Sequence, residues 1–277
     1  MLETYFNQCL ADFGFQPEDM SLYWSVGFCQ GDYVTFNGPI RFEPMKKLMM
    51  KMHGLDIGPE SETYPLCPDS LHQMLTVLRD FGSCDLALTH YGSGKALSLD
   101  TSDDFEELFD YYYQPMIVAY NDTVKFEVNR VWQQEWKAFQ NWLLSSTKAL
   151  CETMLYNAHA ILLAQQSQSE VVREKHFGNY IVQIYEMHDE HFNLDLVDEQ
   201  LCRDIFKDLI EGKQRVCAIQ AVVLDRPSKR ILGSSSLRSY CGNFSSQDSY
   251  YLTLQQEVVN EAIAETRELF VRHKRMA

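Results

Sequence analysis

The segment Met187–His191 is the densest group of potential metal ligands in the chain, with two histidines and two carboxylates in five residues. Imidazole and carboxylate groups both bind divalent metals. If the segment ends a strand, however, an H-x-x-H spacing directs the two histidines to opposite faces, and the helical H-E-x-x-H spacing of metalloproteases is missing. The pattern favours a polar loop at a strand end. A small hydrolase or metal enzyme that uses His188, Asp189, Glu190 and His191 stays as an alternative.

Other segments with catalytic residue types lack the spacing that their chemistry needs. Gly92-Ser93-Gly94-Lys95 is followed by Ala96 and lacks the first glycine of a phosphate-binding loop. Gly233 directly precedes three serines without the G-x-S-x-G pattern of a nucleophile elbow. The sequence also has no G-x-G-x-x-G dinucleotide fingerprint. We therefore predict no catalytic residue, no metal and no cofactor.

Acidic residues are concentrated in two segments of the chain. Residues 80–122 hold nine Asp and Glu against one Lys, and residues 186–211 hold nine against one Arg and one Lys. Such runs are typical of solvated helix faces, since carboxylates favour first helical turns. They also suit a surface that attracts a basic partner. Under that second interpretation the partner-binding residues are Asp100, Asp103, Asp104, Glu106, Glu107, Asp110, Asp195, Asp198 and Glu199.

Three consecutive tyrosines, Tyr111, Tyr112 and Tyr113, directly follow the first acidic segment. A helix cannot bury three consecutive side chains on one face, so we expect at least one of the rings to be exposed. Tyrosine is enriched at the centres of protein interfaces. We therefore add the three tyrosines to the predicted partner-binding surface, although the edge of a core would explain them equally well.

The periodicity of the apolar residues predicts an α+β fold in which antiparallel β-hairpins pack against several helices. The helices are expected at 2–13, 44–53, 69–81, 101–113, 132–166, 198–211 and 250–272. The strands are expected at 22–42 (a hairpin bulged at Gln30-Gly31-Asp32), 85–91 with 96–99, 116–120 with 123–131, 177–187, and 216–224 with 231–237. The organisation that follows is an N-terminal α+β part with the hairpin (1–131), a long central helix (132–166) and a C-terminal α+β part (170–277), with one compact unit as the alternative.

Composition and charge exclude several classes of protein. The chain has 277 residues, 45% hydrophobic and 13% aromatic, which is too apolar for a disordered protein. It shows no apolar run of membrane-spanning length and no secretory signal, so we expect a cytoplasmic protein. The net charge of −15 repels nucleic acid and anionic membranes, and neither is expected as a direct partner. The basic C-terminal cluster, which includes Arg267 and Arg272, suits a helix C-terminus.

The eight cysteines contain no C-x-x-C pair, which is the usual spacing of structural zinc sites and dithiol redox motifs. The sequence therefore favours neither. Because the sequence shows no secretory signal peptide, we expect the thiols to be reduced and mostly buried. Cys241 lies in a polar Tyr-Cys-Gly-Asn segment that we interpret as a turn. A disulfide between the Cys241 residues of two subunits is an alternative to a free thiol there.

The segment Leu22–Gly38 resembles a hairpin of uncharacterised phage and prophage proteins, some of them labelled antitoxin-like. The matching pattern is Tyr-x-Ser-x4-Gln-Gly-Asp, formed here by Tyr23, Ser25, Gln30, Gly31 and Asp32. Tyr33 stands where that family often has glycine. The C-terminal strand, turn and long helix are similar in layout. The resemblance implies a mobile-element context and supplies no catalytic residue.

The resemblance and the acidity together predict a non-enzymatic protein that binds and inhibits a host protein complex. The most plausible target is an antiphage defence nuclease, blocked by steric capping or by nucleic-acid mimicry, and the partner would carry a basic nucleic-acid-binding surface. An antitoxin or other regulatory binding module is the main alternative. The long helix and the apolar C-terminal strand also lead us to expect a homo-oligomer.

Overall fold

In the computed structural model the chain has an α+β fold, as the sequence predicts. The structure describes residues 1–27, 31–54, 86–91, 96–101, 122–165, 169–189, 192, 194, 197–242 and 248–276. It divides into two compact units, one formed by Phe6–Tyr156 and the other by Met1–Tyr5 together with Asn157–Ala277. Helices α1 (Leu2–Phe13) and α3 (Asp122–Gln165) contribute residues to both units.

The Phe6–Tyr156 unit contains a four-stranded antiparallel sheet and helix α2 (Phe42–Met52). Its strands are β1 (Ser21–Ser25), β2 (Tyr33–Ile40), β3 (Leu86–Tyr91) and β4 (Ala96–Thr101), each paired with its sequence neighbour. Short connections join β1 to β2 and β3 to β4, as antiparallel hairpins allow, whereas residues 41–85, which include α2, separate β2 from β3.

The core of this unit comes from apolar residues at helical and strand spacing. Phe6 and Leu10 of α1 are fully buried four residues apart, as are Phe139 and Leu143 of α3. Phe36 of β2 is also fully buried, and its ring lies 5.2 Å from the ring of Phe15. The helices therefore bury one stripe each, as the periodicity predicts.

The second unit contains a four-stranded antiparallel sheet in the order β5-β6-β7-β8. Its strands are β5 (Glu170–Phe177), β6 (Tyr180–Met187), β7 (Arg215–Asp225) and β8 (Ile231–Gly242). Helix α4 (Glu199–Ile210) connects β6 to β7, and helix α5 (Ser249–Met276) follows β8. One core cluster joins β6, β7, β8 and α5 through residues that include Ile184, Ile219, Val258 and Ala262.

One predicted hairpin is wrong. Residues 123–131 were expected as a strand, but they lie in α3, which begins at Asp122 and runs for 44 residues. Val124, Phe126 and Val128 do alternate with polar residues, yet a nine-residue alternation is also compatible with a helix. No Gly or Pro interrupts 122–165, so nothing stops the helix from extending toward its N-terminus.

The C-terminal part differs from the prediction in three places. Strand β5 was missed because Glu170–Phe177 is charged and every one of its residues is exposed, so it carries no apolar alternation. Strand β8 continues to Gly242, five residues beyond the predicted end, through a segment that was interpreted as a polar turn. Helix α5 extends to Met276. The helices predicted at 69–81 and beyond 101, the strand at 116–120 and Gln30 of the bulge lie outside the described residues.

Among the described residues, no helix combines the length and the apolar character that crossing a membrane requires.

Candidate functional site

The hairpin motif closes the connection between β1 and β2. The Oδ1 atom of Asp32 accepts a hydrogen bond from the backbone N–H of Gly27 at 2.8 Å. Gly31 has a φ of +95°, a conformation that costs other residues energy. Tyr23 pairs with Thr35 and Ser25 with Tyr33, so these four residues share one face of the hairpin. Asp32 and Gly31 thus have a structural role in the loop, and Gln30 lies outside the described residues.

His188 and Asp189 contact different backbone groups. The Nδ1 atom of His188 lies 2.7 Å from the carbonyl oxygen of Gln165. Asp189 is 3% exposed and accepts a hydrogen bond from the backbone N–H of Ser239. Glu190 and His191 lie outside the described residues. In the part of the chain that the structure describes, no group of three or more His, Cys, Asp or Glu is placed to hold a metal ion.

The predicted partner-binding residues are divided between described and undescribed parts of the chain. Asp100 lies in β4. Asp198 and Glu199 lie at the start of α4. The remaining members lie outside the described residues, so the structure does not place them: Asp103, Asp104, Glu106, Glu107, Asp110, Tyr111, Tyr112, Tyr113 and Asp195.

Both described acids at the start of α4 have structural partners. Asp198 is the N-cap, and its Oδ1 atom accepts the backbone N–H groups of Gln200 at 2.9 Å and Leu201 at 3.4 Å. Glu199 forms an ion pair of 2.7 Å with Arg203, one helical turn later. Carboxylates are favoured at this position because they satisfy free N–H groups and the helix dipole. For these two acids the interpretation as residues of a solvated helix N-terminus is therefore supported.

Helix α4 carries an exposed leucine near two acids, of which Asp208 is half-buried, and we call Leu201, Asp204 and Asp208 the α4 face. The same helix also carries Arg203 and Lys207. Leu201 is 53% exposed although α4 buries Phe206 and Leu209 on its other side. Asp204 lies one turn after Leu201 and Asp208 one turn after Asp204, so the three residues follow one stripe of the helix.

Two of the acids of α4 also make side-chain hydrogen bonds. Asp208 accepts one from Gln214 at 2.9 Å, and Asp204 accepts a long one of 3.4 Å from Gln200. Their orientation on the helix surface is therefore restrained by neighbouring amides.

A buried polar pair joins the end of β6 to the start of α5. The hydroxyl of Tyr251 donates a hydrogen bond to Oε1 of Glu186, a residue that is 8% exposed. Nη2 of Arg215 lies 3.6 Å from Oε2 of the same carboxylate. Burial, and then the hydrogen bond and charge of Glu186, raise the pKa of Tyr251. The pair stabilises the unit, and sequence reasoning missed it because 65 residues separate its members.

Cys241 lies in β8 and not in the predicted turn. It pairs with Val216 on β7, and its Sγ atom lies 3.2 Å from Oε1 of Gln214. Burial and the charge of Asp208 raise the pKa of the Cys241 thiol to about 11. A thiol with a high pKa is a poor nucleophile at neutral pH, which disfavours disulfide exchange at this position.

An apolar pocket of about 300 Å³ opens beside the end of α5. Phe177, Tyr180 and Phe270 contribute rings to it, and Arg267 lines it as well. Sequence reasoning missed this pocket, because its residues come from three strands, β5, β6 and β7, and from helix α5, which lie far apart along the chain.

Comparisons of the chain with protein-family models, with curated proteins and with solved structures found no match.

Proposed function

We propose that this protein is a non-catalytic, acidic protein of the phage or prophage type that binds and inhibits a host protein complex. The proposed target is an antiphage defence nuclease, whose basic nucleic-acid-binding surface the protein would cap or occupy. The observation that supports the proposal most directly is the α4 face, where an exposed leucine lies among acids on a capped helix.

The α4 face presents an apolar side chain with polar groups next to it. Interfaces place apolar side chains at the centre and polar groups at the rim, and Leu201 with the acids near it matches that arrangement, although leucine is not among the residue types enriched at such centres. The helix holds these side chains in place, because Asp198 caps its N-terminus and Cys202, Phe206 and Leu209 are buried on the other side. A preformed surface loses less conformational entropy on binding than a mobile loop.

The net charge of −15 supports a partner with a basic surface. Opposite charges accelerate association and disfavour partners of the same sign. The same charge disfavours direct contact with DNA or RNA. An acidic protein can thus compete with nucleic acid for one basic groove.

A nuclease assay tests the proposal. We would titrate the purified chain into a bacterial ATP-dependent exonuclease that degrades linear duplex DNA and measure the rate of DNA loss. We expect saturable inhibition whose half-inhibitory concentration rises as salt increases from about 50 mM to about 300 mM, because salt screens exposed charges. Asp204→Lys should raise that concentration about tenfold, which corresponds to the loss of about 1.4 kcal/mol.

The matched control is Glu257→Lys, which makes the same change of charge at an exposed position of α5. If the two variants weaken inhibition equally, the α4 face is not the contact. If the chain leaves every nuclease tested fully active, or turns over a substrate itself, the proposed function is wrong.

A further inference from the structure

Helix α5 covers only part of its sheet. It packs against β8 and β7 and touches β6 only marginally. Gly233 of β8 allows a close approach, since a Cβ atom there would lie 2.6 Å from the carbonyl oxygen of Ala262. Every residue of β5, at the opposite edge, is exposed. A groove therefore runs between β5 and α5, with β6 as its floor.

The end of this groove contains the apolar pocket of about 300 Å³. Val182 and Val223 line its base, and Phe177 and Phe270 stand at its rim with exposed fractions of 55% and 42%. The rings of Tyr180 and Phe270 meet edge to face, with their centroids 6.3 Å apart. A pocket of this size accepts one large apolar side chain.

Both walls of the groove carry cations, and Glu170, which pairs with Glu186, is the acid of β5 on the same face. Arg173 pairs with Ile184 and Lys175 with Val182, so both cations lie on the face of the sheet that α5 covers in part. Arg267 lines the pocket from α5. All three side chains are exposed, and none of them forms an ion pair with another described residue.

The acids of α5 lie on the other flank of the helix. Glu265 accepts the backbone N–H of Ser234 at 2.6 Å, and Glu261 accepts the hydroxyl of Ser235 at the same distance. Both contacts are with β8. The flank of α5 toward β5 carries Val259, Ile263, Arg267 and Phe270, which are apolar or basic. In a chain with a net charge of −15, this separation of charge is unexpected.

We propose that this basic groove, defined by Arg173, Lys175, Phe177, Tyr180, Arg267 and Phe270, binds an acidic peptide segment of a partner protein. A large apolar side chain of the segment fills the pocket, and its carboxylates face the three cations. The proposal goes beyond the inhibitor function, since the groove and the α4 face have opposite charge and take different ligands. A nucleic acid is the less favoured occupant, because the whole molecule repels phosphates and the base of the groove is apolar.

Fluorescence polarisation with the full chain tests the proposal. The probe is a fluorescein-labelled peptide in which Asp and Glu alternate with Leu and Phe. Two further probes are the same peptide with Lys at the acidic positions and a single-stranded oligothymidylate. We expect only the acidic peptide to bind, with an affinity that falls as salt rises.

Charge reversal inside and outside the groove provides the matched comparison. Arg267→Glu should raise the dissociation constant of the acidic peptide about tenfold, and Lys175→Glu on β5 should act in the same direction. Arg272→Glu is the control, since Arg272 lies on the other flank of α5 and pairs with Glu268 at 3.4 Å. It should change the constant by less than about twofold. Melting temperatures close to that of the unmodified chain show that the variants are folded.

Each remaining outcome overturns the proposal. Stronger binding of the lysine peptide or the oligothymidylate would assign the groove to another ligand. Equal effects of Arg267→Glu and Arg272→Glu, or no binding of the acidic peptide at about 1 mM, would remove the groove as a peptide site. A change in molar mass by light scattering with Arg267→Glu would assign it to a second copy of the chain. Inhibition of the exonuclease by Arg267→Glu should be unchanged, which keeps the two proposals separately testable.

Discussion

Glu186 and Tyr251 form a buried contact that involves a charged group. A buried carboxylate is costly unless hydrogen bonds and a cation compensate for the lost water. Here the Tyr251 hydroxyl donates to Oε1, and Arg215 lies 3.6 Å from Oε2. These partners explain how a glutamate that is 8% exposed is tolerated beside the apolar core cluster.

Tyr251→Phe should lower the free energy of unfolding by about 1–3 kcal/mol, because it leaves an oxygen of a buried carboxylate without its donor. The measurement is urea denaturation followed by circular dichroism. Tyr250→Phe is the control, since Tyr250 is 64% exposed and should have little effect. Equal losses for the two variants would mean that the buried hydrogen bond contributes nothing.

The buried thiols and phenols predict a loss of stability at alkaline pH. Burial, and then the charge of Glu152, raise the pKa of Cys151 to about 12. Burial, and then Asp248, raise the pKa of Tyr240 to about 12. A group whose folded pKa lies above its unfolded pKa stabilises the fold fully below the unfolded value and loses that contribution as pH rises toward the folded value.

The unfolded values are about 8.5 for cysteine and about 10 for tyrosine, so the decline should begin near pH 9 and continue to about pH 12. Urea denaturation at a series of pH values from about 7 to about 11 measures it. Cys151→Ser removes one titrating group and should make the decline less steep. A free energy of unfolding that is constant or rises over this range would contradict the prediction.

Two substitutions of Asp198 separate the effect of its hydrogen bonds on stability from the effect of its charge. Asp198→Ala should cost about 1 kcal/mol of stability, because the N–H groups of Gln200 and Leu201 lose their acceptor. Asp198→Ser keeps an acceptor and removes the charge, so its unfolding free energy should stay close to that of the unmodified chain. If the serine variant is as unstable as the alanine variant, the cap is not what stabilises α4.

At the scale of elements, the packing of α5 on β8 depends on Gly233. A Cβ atom at this position would lie 2.4 Å from Oγ1 of Thr266 and 2.6 Å from the carbonyl oxygen of Ala262. The threonine could adjust, but the carbonyl belongs to the helix backbone. Any larger residue must therefore move the helix away from the strand.

Gly233→Ala should destabilise the protein by about 1–3 kcal/mol through this displacement. Gly178→Ala is the comparison, since Gly178 has a φ of +56° and a Cβ atom there would meet nothing within 4 Å. Its cost is conformational only, about 1–2 kcal/mol. Hydrogen exchange separates the two effects: faster exchange in α5 is expected for Gly233→Ala and not for Gly178→Ala. Unchanged exchange in α5 with Gly233→Ala would show that the contact is not tight.

At the scale of the whole molecule, the first five residues belong to the unit formed by the C-terminal half of the chain. Nδ2 of Asn157 donates a hydrogen bond of 2.7 Å to the hydroxyl of Tyr5. The ring of Tyr5 lies 5.3 Å from that of Phe206 on α4, and Tyr5 is 6% exposed. Contacts of such sequence separation connect the N-terminus to the helix that carries the α4 face.

Tyr5→Ala should lower the free energy of unfolding by about 3 kcal/mol, since it removes a buried ring and a hydrogen bond. Hydrogen exchange should become faster in α4 while the β1–β2 hairpin stays protected. Tyr156→Ala is the control, because Tyr156 is 76% exposed. Equal acceleration of exchange in α4 and in the β1–β2 hairpin would contradict the assignment of residues 1–5 to the C-terminal unit.

Local residue patterns were sufficient to predict most of the described helices and strands. Leu2, Phe6, Leu10 and Phe13 predicted α1 with its observed ends, because a helix buries every third or fourth residue. The Asp225–Ser228 segment predicted the turn between β7 and β8, and Asp225 indeed accepts the backbone N–H of Ser228 at 3.0 Å. Where the pattern was ambiguous, as at 123–131, the absence of a helix breaker was the more reliable signal.

The sequence alone determined the α+β class, the hairpin pairings β1–β2, β3–β4 and β7–β8, and the ends of several helices, since these depend on residues that lie within a few positions of one another. The tertiary structure alone decided that Glu186 meets Tyr251, that β5 is an exposed edge, and that Phe177, Arg267 and Phe270 line one pocket. Those features depend on which segments of a long chain pack together. Because the packing of each segment depends on every other, no local pattern of residues contains that information.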